Sequence, residues 1–185
     1  MFSLAEITSS YRAKLIIEVY KKWINRDENV LDIGCGNGVV SIKLKKELKV
    51  NLTGCDIINY VSHDIPFVKM QKTGKLPFKD KMFDVAMFND VLHHTSKVNQ
   101  PSLLREAMRV AKRVVIFEVN PTFSGKIFDY LMNKIHNPSM NIPFTFRSIN
   151  NWHTLFKKNG YVFEVKQVRQ PLFYPFKHIA FLLED

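Results

Sequence analysis

The sequence predicts an α/β domain built on a mostly parallel sheet with helices on both faces. Three observations carry that expectation. Short β-forming runs alternate with longer runs of helical periodicity. The first of them, with Val30, Leu31 and Ile33, has the apolar character of a strand buried on both faces. It leads through three closely spaced glycines straight into an amphipathic run over residues 39–48.

Residues 4–24 read as a leading helix, with Leu15, Ile16, Val19, Tyr20 and Trp23 at near-helical spacing. Residues 29–33 form the first strand, 39–48 a helix, 51–56 the second strand, 66–70 the third and 83–89 the central one, with turn chemistry at Gly74 and Pro77. Asn99 and Pro101 open a helix that runs through Ala111 and feeds the strongly β-forming stretch from Val114 to Glu118. Beyond it, Pro121, Gly125, Pro138 and Pro143 bracket a helix over 123–135 and an irregular segment rich in Phe, Asn and Pro, read as an insertion over the sheet. A helix over 148–158, ended by Asn159 and Gly160, precedes two last strands at 161–168 and 177–183. Their connection, residues 169–176, is too short for a helical crossover, so that pair is expected to be antiparallel. No repeat, low-complexity tract or second domain interrupts this order, and residues 1–185 are expected to form one domain.

A chain of 185 residues can bury roughly 70 % of its unfolded surface, and its 46 % apolar composition is that of an ordinary globular protein. No apolar run approaches the ~18 residues of a membrane span, and the first residues, with Glu6 and Arg12, lack a signal-peptide pattern. The expectation is a soluble, cytoplasmic protein. Cys35 and Cys55 make no CxxC or other metal-ligand pattern and read as packed free thiols, with no metal site. The 27 Lys and Arg against 17 Asp and Glu give +10, a balance open to nucleic acid, acidic lipid or other anions. The basic residues are spread out, however. Their densest run, Lys43, Lys45, Lys46 and Lys49, falls on the polar side of the helix after the glycines, and no basic segment is interleaved with aromatics as in a nucleic-acid module.

The stretch VLDIGCGNG, residues 30–38, concentrates the chemistry. Gly34, Gly36 and Gly38 are spaced as GxGxG, and Val39 stands where a dinucleotide-binding GxGxxG fingerprint needs its third glycine. A phosphate-binding P-loop is excluded, since no Gly-Lys-Ser or Gly-Lys-Thr closes the loop. What remains is a nucleoside-type ligand lying across the strand ends without a diphosphate.

With three further stretches, that motif resembles the class I S-adenosylmethionine-dependent methyltransferases, in their small single-domain, small-molecule branch. The stretches are Gly54-Cys55-Asp56-Ile57, KLPFKDKMFDVAMFNDVLHHT (residues 75–95) and LLREAMRVAKRVVIFEV (residues 103–119), and the likeness spans about residues 11–118. The resemblance implies a Rossmann-like seven-stranded sheet in the order 3-2-1-4-5-7-6 with the last strand antiparallel, and a single methyltransferase domain with a cap-like segment at about 120–147. It also implies S-adenosyl-L-methionine as cofactor.

The same resemblance assigns roles. Gly34, Cys35 and Gly36, with Gly38, would offer backbone N–H groups and bare surface to the cofactor's amino-acid portion, and Asp32 would attract its ammonium directly or through water. Asp56 would accept hydrogen bonds from the ribose hydroxyls, and Ile57 would pack on adenine. The family's acidic residue before LPF is replaced here by Lys72 or Thr73, so either the adenine contact falls to the Thr73 hydroxyl or to backbone, or cofactor affinity is lowered. Asn89, at the topological switch point, would meet the cofactor. His93, His94 and Asp90 are candidate bases for an oxygen or carbon acceptor, with no carboxylate or Cys nearby in sequence to complete a metal set. Arg147 and Phe146, in an aromatic-rich stretch, are candidates to bind an anionic or aromatic small-molecule acceptor.

Two other readings compete: an RNA methyltransferase, suggested by the charge, and a non-catalytic methyltransferase-like scaffold, suggested by the missing acid before LPF. Against the first, Asn89-Asp90-Val91-Leu92 stands where amino methyltransferases of nucleic acids often carry Asn/Asp-Pro-Pro-aromatic.

Overall fold

In the computed structural model, residues 4–70, 74–122, 125–127, 130, 131, 134, 145–169, 174 and 176–185 are described. Seven strands form one sheet: β1 (Asn29–Ile33), β2 (Asn51–Asp56), β3 (Phe67–Lys69), β4 (Phe83–Asn89), β5 (Ala111–Asn120), β6 (Val162–Gln167) and β7 (Lys177–Glu184). Their spatial order is β3-β2-β1-β4-β5-β7-β6. The first five pair in parallel, while β7 runs antiparallel between β5 and β6. Sheet order and strand directions are those expected from the sequence.

Alternation along the strands divides the interior in two. Leu31 and Ile33 on β1, Ala86 and Phe88 on β4, and Val114 and Ile116 on β5 face one core with Leu104 and Met108 of α3 (Gln100–Val110) and Trp152 and Phe156 of α4 (Ile149–Lys158). Val30, Val85, Met87, Val115 and Phe117 face the other, with Ile16, Val19 and Tyr20 of α1 (Leu4–Tyr20) and Leu44 of α2 (Val39–Leu48). Strands covered on both faces must be apolar throughout, which explains the continuous run in β5.

Besides shifts of a residue or so at other strand and helix ends, the structure departs from the sequence reading in these places. The leading helix ends at Tyr20, and a turn in which the Trp23 and Ile24 amides both bond to Tyr20 O at 2.8 Å still carries those two side chains into the core. α3 stops at Val110 and β5 begins at the next residue with no loop between them. Leu92–His94 form a short 3-10 turn, too brief to leave a periodic signal. Of the helix expected over 123–135, residues 125–127, 130, 131 and 134 are helical and the others lie outside the described residues, as does 135–144. Ser148 caps α4, its side chain accepting from the Asn151 amide.

Candidate functional site

The parallel strands β1, β2, β4 and β5 end on the same side of the sheet, so the loops that follow them meet there. Gly34 turns the chain out of β1 at φ 78°, and a Cβ on it would lie 2.5 Å from a methyl of Val91, so this position takes only glycine. The turn is fastened internally. The Gly34 and Cys35 amides donate to Cys55 O at 2.7 and 3.3 Å, and the Gly36 amide to Asp56 Oδ2 at 2.9 Å. The expectation that Gly34, Cys35 and Gly36 present their N–H groups to a ligand is therefore corrected, because the adjacent strand β2 takes them. Bare surface remains: a Cβ on Gly36 would meet nothing within 4 Å. Gly38 stands at the N-terminus of α2.

Asp32 is only 2 % exposed, accepting from Ser41 Oγ at 2.6 Å and Asn89 Nδ2 at 3.1 Å. Burial raises its pKa to about 6, against the lowering effect of those two bonds. Asn89 in turn accepts from the fully buried Tyr20 hydroxyl at 3.0 Å, so Tyr20, Asn89 and Asp32 form one hydrogen-bonded chain. Asp56, half-buried at the end of β2, has one backbone N–H on each oxygen, from Gly36 and from Ile57. Ile57 beside it is 46 % exposed, an unusual setting for a large apolar side chain next to a carboxylate. Cys35 and Cys55 are free thiols, and burial pushes both upward, Cys55 to about 12. Thr73 and Lys72 lie outside the described residues.

The ends of β4 and β5 carry a second cluster. Asp90 sits at φ 56°, a left-handed conformation that Asp tolerates better than most residues, and so leaves the strand sharply. Its Oδ2 lies 3.4 Å from both Arg12 Nη1 on α1 and His178 Nε2 on β7. Burial works against its charge, but His178 first and then Arg12 hold the carboxyl down at about 2. His93, 1 % exposed, has Nδ1 2.6 Å from Oε2 of the equally buried Glu118, whose Oε1 accepts the Val91 and Leu92 amides at 2.9 and 2.6 Å. The His93 ring stacks on Phe146, with centroids 4.8 Å apart, and packs against His94 at 4.1 Å.

The fold thus supplies what the local sequence lacked. Asp90, His93 and Glu118 bring three potential ligand atoms within 4.8 Å of one another, correcting the view that no carboxylate completes a set around His93. The Glu118 oxygens, however, already take three short bonds from Val91, Leu92 and His93, and the Arg12 guanidinium supplies positive charge at Asp90. Glu118 escaped the sequence reading, although a lone Glu in an apolar strand is itself a signal, since buried carboxylates are nearly always paired. His178 and Arg12, 88 and 78 residues away from Asp90 in opposite directions, left no local pattern.

Arg147 is occupied differently from the ligand contact expected of it. Its Nε donates to Oε1 of the fully buried Gln100 at 2.5 Å, Nη2 donates to Lys97 O at 3.1 Å, and its guanidinium lies 5.6 Å over the Trp152 ring. Gln100 Nε2 donates to Leu92 O at 2.8 Å and lies within 3.2 Å of Thr95 O, Thr145 O and Thr145 Oγ1. Phe146, 7 % exposed, is covered by His93. Residues 145–147 are a clasp between the 3-10 turn and α3.

Residues 31–117 match a family model described as a methyltransferase domain. Two curated relatives align. A tRNA U34 carboxymethyltransferase of Nautilia profundicola is 29 % identical over 100 residues, covering 48 % of this chain and 33 % of the relative. An uncharacterised protein of Methanocaldococcus jannaschii is 37 % identical over 112 residues, covering 54 % and 39 %. The matched regions therefore span between a third and two-fifths of those proteins. Among solved structures, a SAM-dependent methyltransferase from Aquifex aeolicus superposes with TM-score 0.67 at 17 % identity, covering 99 % of this chain and 98 % of its own. Burkholderia thailandensis 1,6-didemethyltoxoflavin-N1-methyltransferase, solved with its substrate and S-adenosylhomocysteine, gives 0.66 at 15 % identity, covering 96 % and 79 %. At these identities the structures show a shared fold.

Proposed function

We propose that the chain, whose residues 31–117 match a methyltransferase-domain family model, is a class I S-adenosylmethionine-dependent methyltransferase that transfers a methyl group from S-adenosyl-L-methionine to a small-molecule acceptor. The observation that carries this reading is the pair of carboxylates, Asp32 and Asp56, set at adjacent strand ends around the bare surface of Gly36. The residues fit the cofactor. Gly36 leaves room for its amino-acid portion, Asp32, bonded to Asn89, offers negative charge to the ammonium, Asp56 keeps lone pairs for ribose hydroxyls, and exposed Ile57 gives adenine an apolar face. Bound there, the cofactor supplies a methyl group already activated by its sulfonium. The chain has to hold the acceptor in line, exclude water and take up any proton released. His93, His94 and Asp90 remain the candidates to handle that proton. The adenine contact through Thr73 and the cap-like segment at about 120–147 belong to the same proposal.

The small-molecule assignment is supported by a neighbour solved with bound 1,6-didemethyltoxoflavin and by the aromatic side chains around His178. Among the described residues no helix is long and apolar enough to cross a membrane, and two free thiols suit a cytoplasmic setting.

Thermal unfolding with and without cofactor tests the proposal. At a hundred times Kd the ligand adds about 2.7 kcal/mol, a rise in Tm of about 5–10 °C for this chain length, with no response to a nicotinamide dinucleotide. A methylation screen over acceptor classes, read as S-adenosylhomocysteine released, then identifies the acceptor. An unchanged Tm at millimolar cofactor overturns the enzyme reading in favour of a scaffold. RNA as acceptor is the second reading, favoured by the +10 charge and the tRNA-modifying relative.

A further inference from the structure

β6 is the outermost strand on its side of the sheet, paired with β7 and, among the described residues, with no strand beyond it. Native sheets blunt such an edge with proline, a bulge or a covering segment, because its row of open N–H and C=O groups invites another strand. From Val162 to Gln167 the register with β7 advances with neither bulge nor proline, and Val162 and Val165 are 65 % and 38 % exposed. The Val168 amide bonds to His178 O at 3.2 Å, and antiparallel pairs alternate, so the even-numbered residues turn their main-chain groups to β7. Phe163, Val165 and Gln167 therefore turn theirs to the open edge. Among the side chains, Glu164 lies on the face toward α1, where it accepts from Trp23 Nε1 at 3.1 Å. Lys166, on the same face, meets its own sign. The neighbouring amine of Lys22 first of all, then desolvation and the charges of Lys22 and Lys21, lower its pKa against the pull of Glu164.

We propose that β6 pairs antiparallel with β6 of a second copy of this chain, about a two-fold axis at Val165. The open groups belong to odd-numbered residues, so odd must face odd across the contact. An axis at Glu164 sets that carboxylate against itself, and an axis at Lys166 sets lysine against lysine. An axis at Val165 sets Glu164 of each copy opposite Lys166 of the other, in a non-hydrogen-bonded pair, where side chains come closest. The crowded ammonium then gains a carboxylate. Val165 exchanges both main-chain bonds with its counterpart, Phe163 does the same with Gln167, and Val162 stands opposite Val168. The strand is thus complementary to itself only when read backwards from Val165. Such a contact is isologous and closes at two copies. Two antiparallel pairings separate β6 from β5, so the two strands run the same way, and the two-fold axis turns the second copy's candidate site to the opposite end of the joined sheet. Neither site borrows a residue from the other copy, and the pairing stands independently of the methyltransferase reading.

Sedimentation velocity of the full chain, from about 5 to about 200 µM, tests the pairing, with circular dichroism melts to show that each variant is folded. The parent is expected to pass from monomer to dimer across that range. Val165→Lys puts like charges face to face at the axis and should weaken the dimer by about tenfold or more. Glu164→Lys and Lys166→Glu should each do so alone. An equimolar mixture of those two should dimerise again, because every facing pair is then of opposite charge, a rescue that no other register gives. Should Glu164→Lys fail to fold for want of its bond to Trp23, Val165→Lys still decides. A parent chain that stays monomeric throughout, which would leave this edge to a strand of a different protein, overturns the proposal. So does a Val165→Lys protein that dimerises as the parent does, or a mixture of folded Glu164→Lys and Lys166→Glu proteins that remains monomeric.

Discussion

Asp32 shows how one side chain would couple the proposed cofactor binding to pH. Its pKa stands at about 6 because it is buried, so the folded chain holds this proton more tightly than the unfolded chain does. Its contribution to stability is therefore largest below the unfolded value near 4 and is lost as pH rises through about 6. Cofactor binding should run the opposite way, because the ligand's ammonium needs the carboxylate ionised. Calorimetric titration is expected to show affinity flat above pH 7 and about tenfold weaker at pH 5, with Asp32→Asn binding weakly at both; an identical pH profile in that variant would remove Asp32 from the cofactor site. At this scale the sequence was most legible where chemistry is local. Asp32, Asp56 and the glycines announce themselves by spacing after a strand. Arg12, Glu118 and His178 do not, since each takes its meaning from side chains that the topology delivers from elsewhere.

Among the elements, the 3-10 turn, α3 and residues 145–147 act as one unit. Gln100 ties the carbonyls of Leu92 and Thr95 to the 145–147 segment, and Arg147 closes the ring onto Gln100, Lys97 O and Trp152. Arg147→Ala is expected to lower the unfolding free energy by about 1.5–3 kcal/mol in urea, the usual worth of hydrogen bonds from a charged donor. Arg147→Lys should not restore it, since an ammonium cannot make the forked contact or lie flat over indole. Wild-type stability in Arg147→Ala, with a raised KM for acceptor, would return the residue to ligand binding. Periodicity revealed α3 and α4 within a residue or two, because each presents an apolar stripe to a sheet. It could not reveal the clasp, whose polar contacts span 45 to 52 residues and follow no period.

For the whole molecule, the alternation of strand and helix predicted a mostly parallel sheet and the short last connection an antiparallel pair, because parallel neighbours need crossovers, while the order of the strands followed from the family resemblance. The net charge of +10 was less informative, since charge speaks to partners and not to fold. Salt dependence separates the two acceptor readings. Methylation of a small neutral acceptor should change less than about twofold between 50 and 200 mM salt, whereas an RNA acceptor would show binding falling with a log–log slope of about −0.7 per neutralised phosphate.

The direct passage from Val110 into Ala111 bears on how this domain tolerates change. β5 is flanked by β4 and β7, and its odd and even residues serve different cores, with Val115 and Phe117 toward α1, and Val114 and Ile116 toward α4. No slack residue separates α3 from the strand, so a single inserted amino acid at that junction has nowhere to be absorbed. It would roll β5 over by one position, exchange the contents of the two cores, and carry Glu118 away from His93 to the opposite side of the sheet. The seam between helix and strand is therefore a place where length matters more than composition, and where insertions should be rarer among functional variants than substitutions.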